Sequence, residues 1–336
     1  MRGLKLFTYT LSLQKIWNWW LLFFSFHLSK ILKRPLVWGK PASLSIEPTT
    51  ACNLRCPECP SGLRSFTRPT GNLQQQVFEN IISQTHKTLS ALTFYFQGEP
   101  YINPNFLDMV KVAVNHNVFT ITSTNAHFLN DENAKRTIES GLHRLIISID
   151  GTTQKTYEQY RKEGSLEKVI EGTKNILHWR KKLKSETPEV VFQFLVVKPN
   201  EHQIDEVKTI AKELGVDQVN LKTAQLYDFE NGNELMPTIN KYSRYKKNAA
   251  GKFELKNKLL NQCWRMWRGS VVTWDGRVVP CCFDKDAQHE MGNISQTSFN
   301  QIWKSPPYQN FRKALLTSRK EIDICKNCSE GTEVFA

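Results

Sequence analysis

The sequence has no run of about eighteen consecutive apolar residues, and its mean hydropathy is −0.45, which excludes a polytopic membrane protein. Cysteine is sparse: eight thiols in 336 residues are too few for a small disulfide scaffold. No internal repeat or low-complexity tract is evident. Acidic residues are missing from positions 1–40, which hold seven cations (Arg2, Lys5, Lys15, Lys30, Lys33, Arg34 and Lys40); the first acid is Glu47. The same stretch lacks the small-residue cleavage site of a signal peptide, since Lys-Ile-Leu-Lys-Arg-Pro follows its apolar part. A chain without an export signal is expected in the cytoplasm with reduced thiols. Grouped cysteines then read as metal ligands before disulfides.

Apolar residues make up 40% of the chain and aromatics 11%, enough to exclude wholesale disorder. At roughly 150 residues per domain, the length predicts two domains, or one large domain with an appendage. The net charge of +13 is uneven, because seven of the excess cations sit in the acid-free leader and the remaining +6 is ordinary. The total therefore requires no nucleic-acid-binding surface. Residues 16–33, IWNWWLLFFSFHLSKILK, cluster Trp and Phe beside Lys and Arg. The run is short for a spanning helix. It suits peripheral membrane contact through residues 1–35, as an interfacial helix on an anionic bilayer; the alternative is aromatic packing on the body of the protein.

From residue 43 the pattern alternates. Strands are expected at 43–47, 91–96, 118–124, 144–150, 190–197 and 218–222, with helices near 74–87, 105–116, 130–140, 153–182 and 202–214. Such βαβ repetition predicts an α/β fold with a parallel sheet, and six units suggest a partial (βα)6 TIM-like barrel with its active groups at the strand C-termini. Beyond residue 223 the pattern changes. The division expected is a leader over 1–40, a barrel over 41–225, a linker over 226–260 and a small cysteine-rich extension over 261–336. The extension holds five cysteines, a WDGRVVPC hairpin signature turning at Asp275-Gly276, and a helix near 297–316.

Cys52, Cys56 and Cys59 form C-x3-C-x2-C directly after the first strand. Chance would produce that spacing about 0.005 times in such a chain. Three thiolates on a short loop make a half-cage for zinc or an iron–sulfur cluster. A structural zinc site normally has a fourth protein ligand, and the next histidine is as far away as His86. A cubane held by three cysteines instead leaves one iron open to another molecule.

In its context, ACNLRCPECP, the motif resembles that of the radical S-adenosylmethionine enzymes, and the likeness covers about residues 43–331. The resemblance implies a [4Fe–4S] cluster whose open iron binds S-adenosyl-L-methionine. One electron then cleaves the sulfur–C5′ bond, and the 5′-deoxyadenosyl radical takes a hydrogen atom from the substrate. It also implies cofactor-binding roles. Gly98 and Glu99 resemble the Gly-Gly-Glu-type motif that meets the methionine amino group, although Gln97 stands where the first glycine would be. Ser123, Asn125, Ser148 and Asp150 resemble positions that hydrogen-bond the ribose and the carboxylate. Arg161 resembles an arginine that pairs with the methionine carboxylate, beside the plainer reading of a solvated helix residue. A reducing partner such as flavodoxin or ferredoxin follows from the same chemistry.

Cys263, Cys281, Cys282, Cys325 and Cys328 are arranged C-x17-C-C…C-x2-C. The set could close a zinc site or complete a four-cysteine cluster. Beside the first motif it resembles the SPASM or twitch extension, with spacing similar to that of the butirosin inosamine dehydrogenase. That resemblance implies one auxiliary [4Fe–4S] cluster on Cys263, Cys281, Cys325 and Cys328. Adjacent side chains on a strand point oppositely, so Cys281 and Cys282 are not both expected to serve it. Four protein ligands leave no open iron, which suits electron acceptance and a net oxidation. A proton acceptor is then needed, with Lys222, Tyr227 and Glu99 as candidates and no catalytic residue singled out. Three functions follow: an oxidoreductase acting on a small or lipid-linked hydroxylated molecule, a peptide or protein maturase, and a non-enzymatic iron–sulfur electron carrier.

Overall fold

The computed structural model describes residues 2–332. In chain order its helices and strands are α1 (Arg2–Tyr9), α2 (Leu13–Leu32), β1 (Ser43–Ile46), α3 (Pro60–Leu63), α4 (Gln75–Thr85), β2 (Ala91–Thr93), α5 (Phe106–Asn115), β3 (Phe119–Thr124), α6 (Asp131–Glu139), β4 (Arg144–Ser148), α7 (Gln154–Tyr160) and α8 (Leu166–Lys182). They continue as β5 (Glu189–Val196), α9 (Ile204–Leu214), β6 (Gln218–Thr223), β7 (Tyr245–Lys247), β8 (Phe253–Leu255), α10 (Arg265–Arg268), β9 (Gly269–Val272), β10 (Arg277–Val279), β11 (Gly292–Asn293), α11 (Phe299–Trp303) and α12 (Pro306–Ser318). All six expected strands form.

The chain divides into two compact units: residues 1–51, 66–121 and 259–336 make one, and residues 52–65 and 122–258 the other. In the first unit β1 lies parallel to both β2 and β9, β2 is parallel to β3, and β10 and β11 follow antiparallel. The expected hairpin is β9–β10. Gly276 takes φ 82° in its turn, which glycine adopts without a Cβ penalty. Its pairing with β1, in the register Ser43↔Gly269 to Ile46↔Val272, draws a late segment onto the first strand. Beneath this edge Arg68 and Glu47 form a buried two-pronged ion pair, at 2.9 and 2.5 Å.

The leader packs on the same unit. Ser12 caps α2 through Lys15 N. One face of the helix buries Asn18, Leu22, Ser25, Phe26 and Ser29. Phe26 lies 5.3 Å from both the Trp264 and Trp267 rings, and Trp19 Nε1 donates to Ser90 Oγ at 3.0 Å. The Asn18 amide exchanges two 2.8 Å hydrogen bonds with the Lys40 backbone. Lys15 is buried, where its ammonium donates to the carbonyls of Thr10 and Asn117, and burial lowers its pKa to about 8. No helix among the described residues is long and apolar enough to cross a membrane.

In the second unit β4, β5 and β6 are parallel, and α6 and α8 pack together. The single helix expected over 153–182 is two helices. Glu163 at φ 64° reverses the chain, Gly164 lies against Tyr157 where a Cβ would sit 2.7 Å from the ring, and Ser165 caps α8. The helix expected near 297–316 is likewise divided, because Pro306 and Pro307 open α12. Residues 226–260 contain the antiparallel pair β7–β8 and add Leu226 and Tyr245 to a buried cluster that includes Leu54 and Cys56.

Candidate iron–sulfur sites

The loop that carries Cys52, Cys56 and Cys59 runs from β1 into α3. Cys59 is the N-cap of this short helix and Pro60 opens it, which ends the loop abruptly. A Cβ on Gly62 would lie 2.6 Å from both Cys56 N and O, so glycine lets α3 rest on the loop. Arg55 N donates to Lys162 O at 3.0 Å, and Leu54 and Cys56 are buried among Tyr160, Leu226 and Tyr245. The loop is thus fixed on both sides of Cys56. Two thiols meet donors: Leu54 N lies 3.5 Å from Cys52 Sγ, and Arg161 Nη1 3.7 Å from Cys56 Sγ. Burial pushes the Cys56 thiol pKa up, opposed by Arg161.

Arg161 is not a solvated helix residue. It caps the C-terminus of α7, and its Nε donates to Asp150 Oδ2 at 2.5 Å. Burial works against its charge, but the Asp150 carboxylate, then Cys56, outweighs burial and holds the guanidinium pKa well above its usual value. Asp150 itself is fully buried, and its other oxygen accepts Leu195 N at 2.7 Å. This carboxylate, expected at the cofactor, is engaged within the chain. Asn200, which sequence reasoning missed, is fully buried and donates to Asp150 O and Leu195 O. Asn125 Nδ2 donates to Asn53 Oδ1 at 2.8 Å and stands 4.0 Å from Cys52 Sγ, so it braces the cysteine loop. Ser123 and Ser148 lie across β3 and β4 with hydroxyls 3.5 Å apart.

In the first unit Gly98 takes φ 74°, and a Cβ there would strike the Thr49 carbonyl. Glu99 N donates to Ala51 O at 2.8 Å, and Ala51 directly precedes Cys52. The Glu99 side chain is buried and accepts Tyr101 N at 3.4 Å. Of the other two candidate bases, Lys222 and Tyr227 are exposed. Tyr227 N donates to Glu58 Oε2 at 2.8 Å, which assigns a local role to the acid inside CPEC.

The second thiol set also lies in the first unit. Cys263, Cys325 and Cys328 are buried, and Cys281 and Cys282 are half-buried. Gly331, at φ 78°, closes over Cys263, where a Cβ would sit 2.5 Å from Sγ. Arg319 is buried, with Nη2 3.5 Å from Cys328 Sγ and Nη1 donating to Gln262 O at 2.6 Å. Arg265 Nη1 lies 3.7 Å from Cys282 Sγ, and Arg265 also pairs with Glu330. Neither arginine was singled out from sequence. Burial pushes the Cys325 pKa up to about 12 against the pull of Arg319. The strand-alternation argument that Cys281 and Cys282 do not both serve one cluster does not hold, because β10 ends at Val279 and both cysteines lie beyond it. Both line a cavity of about 300 Å³ with Ser45, Thr93, Arg265 and Arg268.

Among the described residues no group of three or more His, Cys, Asp and Glu side chains is arranged to hold a single metal ion. The donors are soft thiols in two separate sets, with cationic or amide N–H groups turned on their sulfurs. That chemistry fits iron–sulfur clusters. A mostly parallel α/β sheet with one such set after its first strand and another in a C-terminal segment defines an iron–sulfur protein of the S-adenosylmethionine-using class. The chain belongs to the radical SAM superfamily, whose family model matches residues 46–212, and an iron–sulfur cluster-binding SPASM domain matches residues 263–329. It is similar to the tungsten-containing aldehyde ferredoxin oxidoreductase cofactor-modifying protein of Pyrococcus furiosus, at 26% identity over 320 residues, covering 85% of this chain and 86% of that one. The PqqA peptide cyclase of Gluconobacter oxydans is 24% identical over 292 residues, covering 81% and 79%. Among solved structures, BtrN in complex with AdoMet and 2-DOIA has a TM-score of 0.55 at 19% identity, covering 88% of this chain and 95% of that chain, which supports the fold.

Proposed function

We propose that this chain is a radical SAM oxidoreductase that removes hydrogen from a small or lipid-linked hydroxylated substrate. Cys52, Cys56 and Cys59 would hold the S-adenosylmethionine-binding [4Fe–4S] cluster. Cys263, Cys281, Cys325 and Cys328 would hold one auxiliary [4Fe–4S] cluster. When bound, these groups supply reductive cleavage of S-adenosylmethionine, hydrogen-atom abstraction and acceptance of one electron. The chain's own residues position and shield. Gly98 and Glu99 would receive the methionine amino group. Ser123, Asn125 and Ser148 would face the ribose and carboxylate. Arg161 would offer its cation there, with Asp150 orienting it from behind. Arg265 and Arg319 place positive charge beside the second thiol set, which favours an added electron there. A flavodoxin or ferredoxin would supply reducing equivalents in the cytoplasm.

The observation that carries this reading is the fixed loop of three thiols with N–H donors on two of them. The name of the PqqA peptide cyclase favours a second reading, in which the substrate is a peptide and the chain is a maturase. An electron carrier, the third, has no use for a three-thiol site. Reconstituted, reduced protein incubated with S-adenosylmethionine should release 5′-deoxyadenosine. Cys56→Ala should abolish that release and lower bound iron from about eight to about four per chain. Undiminished cleavage by the variant would overturn the assignment.

A further inference from the structure

Helix α2 packs one face on the fold and leaves the opposite, more apolar face uncovered. The packed face is that of Asn18, Leu22, Ser25, Phe26 and Ser29. Leu13, Trp17, Trp20, Phe24 and Ile31 are 86%, 64%, 51%, 54% and 77% exposed. At about 100° per residue, these five fall within about 60° of one another and about 155° from the buried face. Trp20 and Phe24, one turn apart, stack with ring centroids 5.7 Å apart. A soluble surface gains nothing from such a stripe. The same leader exposes Lys5, Lys33, Arg34 and Lys40, and no acid occurs before Glu47.

We infer that this face is a docking surface for an anionic lipid bilayer, on which α2 lies in the plane of the head groups. The aromatic rings would enter the acyl boundary while the cations meet lipid phosphates. The helix is not apolar enough to span. A second copy of the chain fits less well. Self-pairing through this face would set one acid-free, cationic leader against another. Lys15, buried and bonded within the fold, takes no part in this attraction.

The test is flotation of the full chain with vesicles of phosphatidylcholine containing about 30% phosphatidylglycerol, and with phosphatidylcholine alone. The protein should float with the anionic vesicles at low salt, and less at high salt. A Trp17→Ser/Trp20→Ser/Phe24→Ser variant alters only the exposed face and should lower partitioning by about tenfold or more. Lys33→Glu/Arg34→Glu, exposed at and just beyond the C-terminal end of α2, gives a second measure that does not depend on the first variant's folding, and should lower binding to anionic vesicles alone. Near-UV circular dichroism and 5′-deoxyadenosine release, unchanged in both variants, separate this surface from the chemistry. Wild-type protein that fails to float at any salt overturns the inference, as do variants that float like wild type. A dimer in sedimentation equilibrium that the aromatic variant dissolves, with no vesicle binding, would assign the face to self-association instead.

Discussion

Replacing Arg161 should expose how the first cysteine loop is held. In Arg161→Ala the fully buried Asp150 carboxylate loses its only ion-pair partner among the described residues, at 2.5 Å, and keeps the Leu195 N–H. Arg161 is itself only 17% exposed, so solvent screens the pair weakly. Removing one member of a buried pair typically costs about 3–5 kcal/mol, because the other charge remains uncompensated. At about 1.4 kcal/mol per tenfold change, that is a drop of at least a hundredfold in the folded-to-unfolded ratio. Arg161→Lys retains a cation but not the fork that reaches Asp150 with Nε and Cys56 with Nη1, so it should lie between. Asp150→Asn combined with Arg161→Met should recover part of the loss, since no buried charge is left alone. Anaerobic urea unfolding followed by tryptophan fluorescence measures all three. If Arg161→Ala unfolds within about 1 kcal/mol of wild type, or the double variant is no better than the single, the pair is not what orders this region.

Further outcomes are expected elsewhere. Cys281→Ser should lose the second cluster's iron while Cys282→Ser keeps it; because both thiols lie beyond β10, the reverse iron count would assign Cys282 instead. Burial lowers the His143 pKa from 6.5 to about 4. Between those values the unfolded chain binds more protons than the folded one, so stability should fall as pH drops through the window. His143→Gln should flatten that slope in thermal melts, and an unchanged slope would refute the attribution.

Strand positions and the first cysteine motif were legible because period-two patterning and ligand spacing are local signals. SLSIE, RLIISID and VVFQFLVV became β1, β4 and β5 within two residues at each end. What was not legible depends on contacts distant in sequence. Asp150, expected to end a strand, lies two residues beyond β4 and faces Arg161 and Leu195 N, which no spacing rule reveals. Arg319 reads as one more surface cation until α12 carries it to Cys328. The leader posed a choice between packing and exposure, but a helix can do both on opposite faces, and summed hydrophobicity does not distinguish them.

The parallel pairing of β1 with β9 has a consequence for synthesis. Residues 43–46 emerge from the ribosome early, but residues 269–272 are translated more than two hundred codons later. During that interval one edge of β1 has no ladder partner, while the cysteine loop just beyond it has already been made. At about 5–20 residues per second the wait lasts tens of seconds, long enough for an open, apolar edge to recruit chaperones or a neighbouring nascent chain. A premature stop before residue 269 would leave a chain with its first cysteine motif intact and its sheet unfinished, which makes aggregation, rather than a smaller working enzyme, the outcome of truncation.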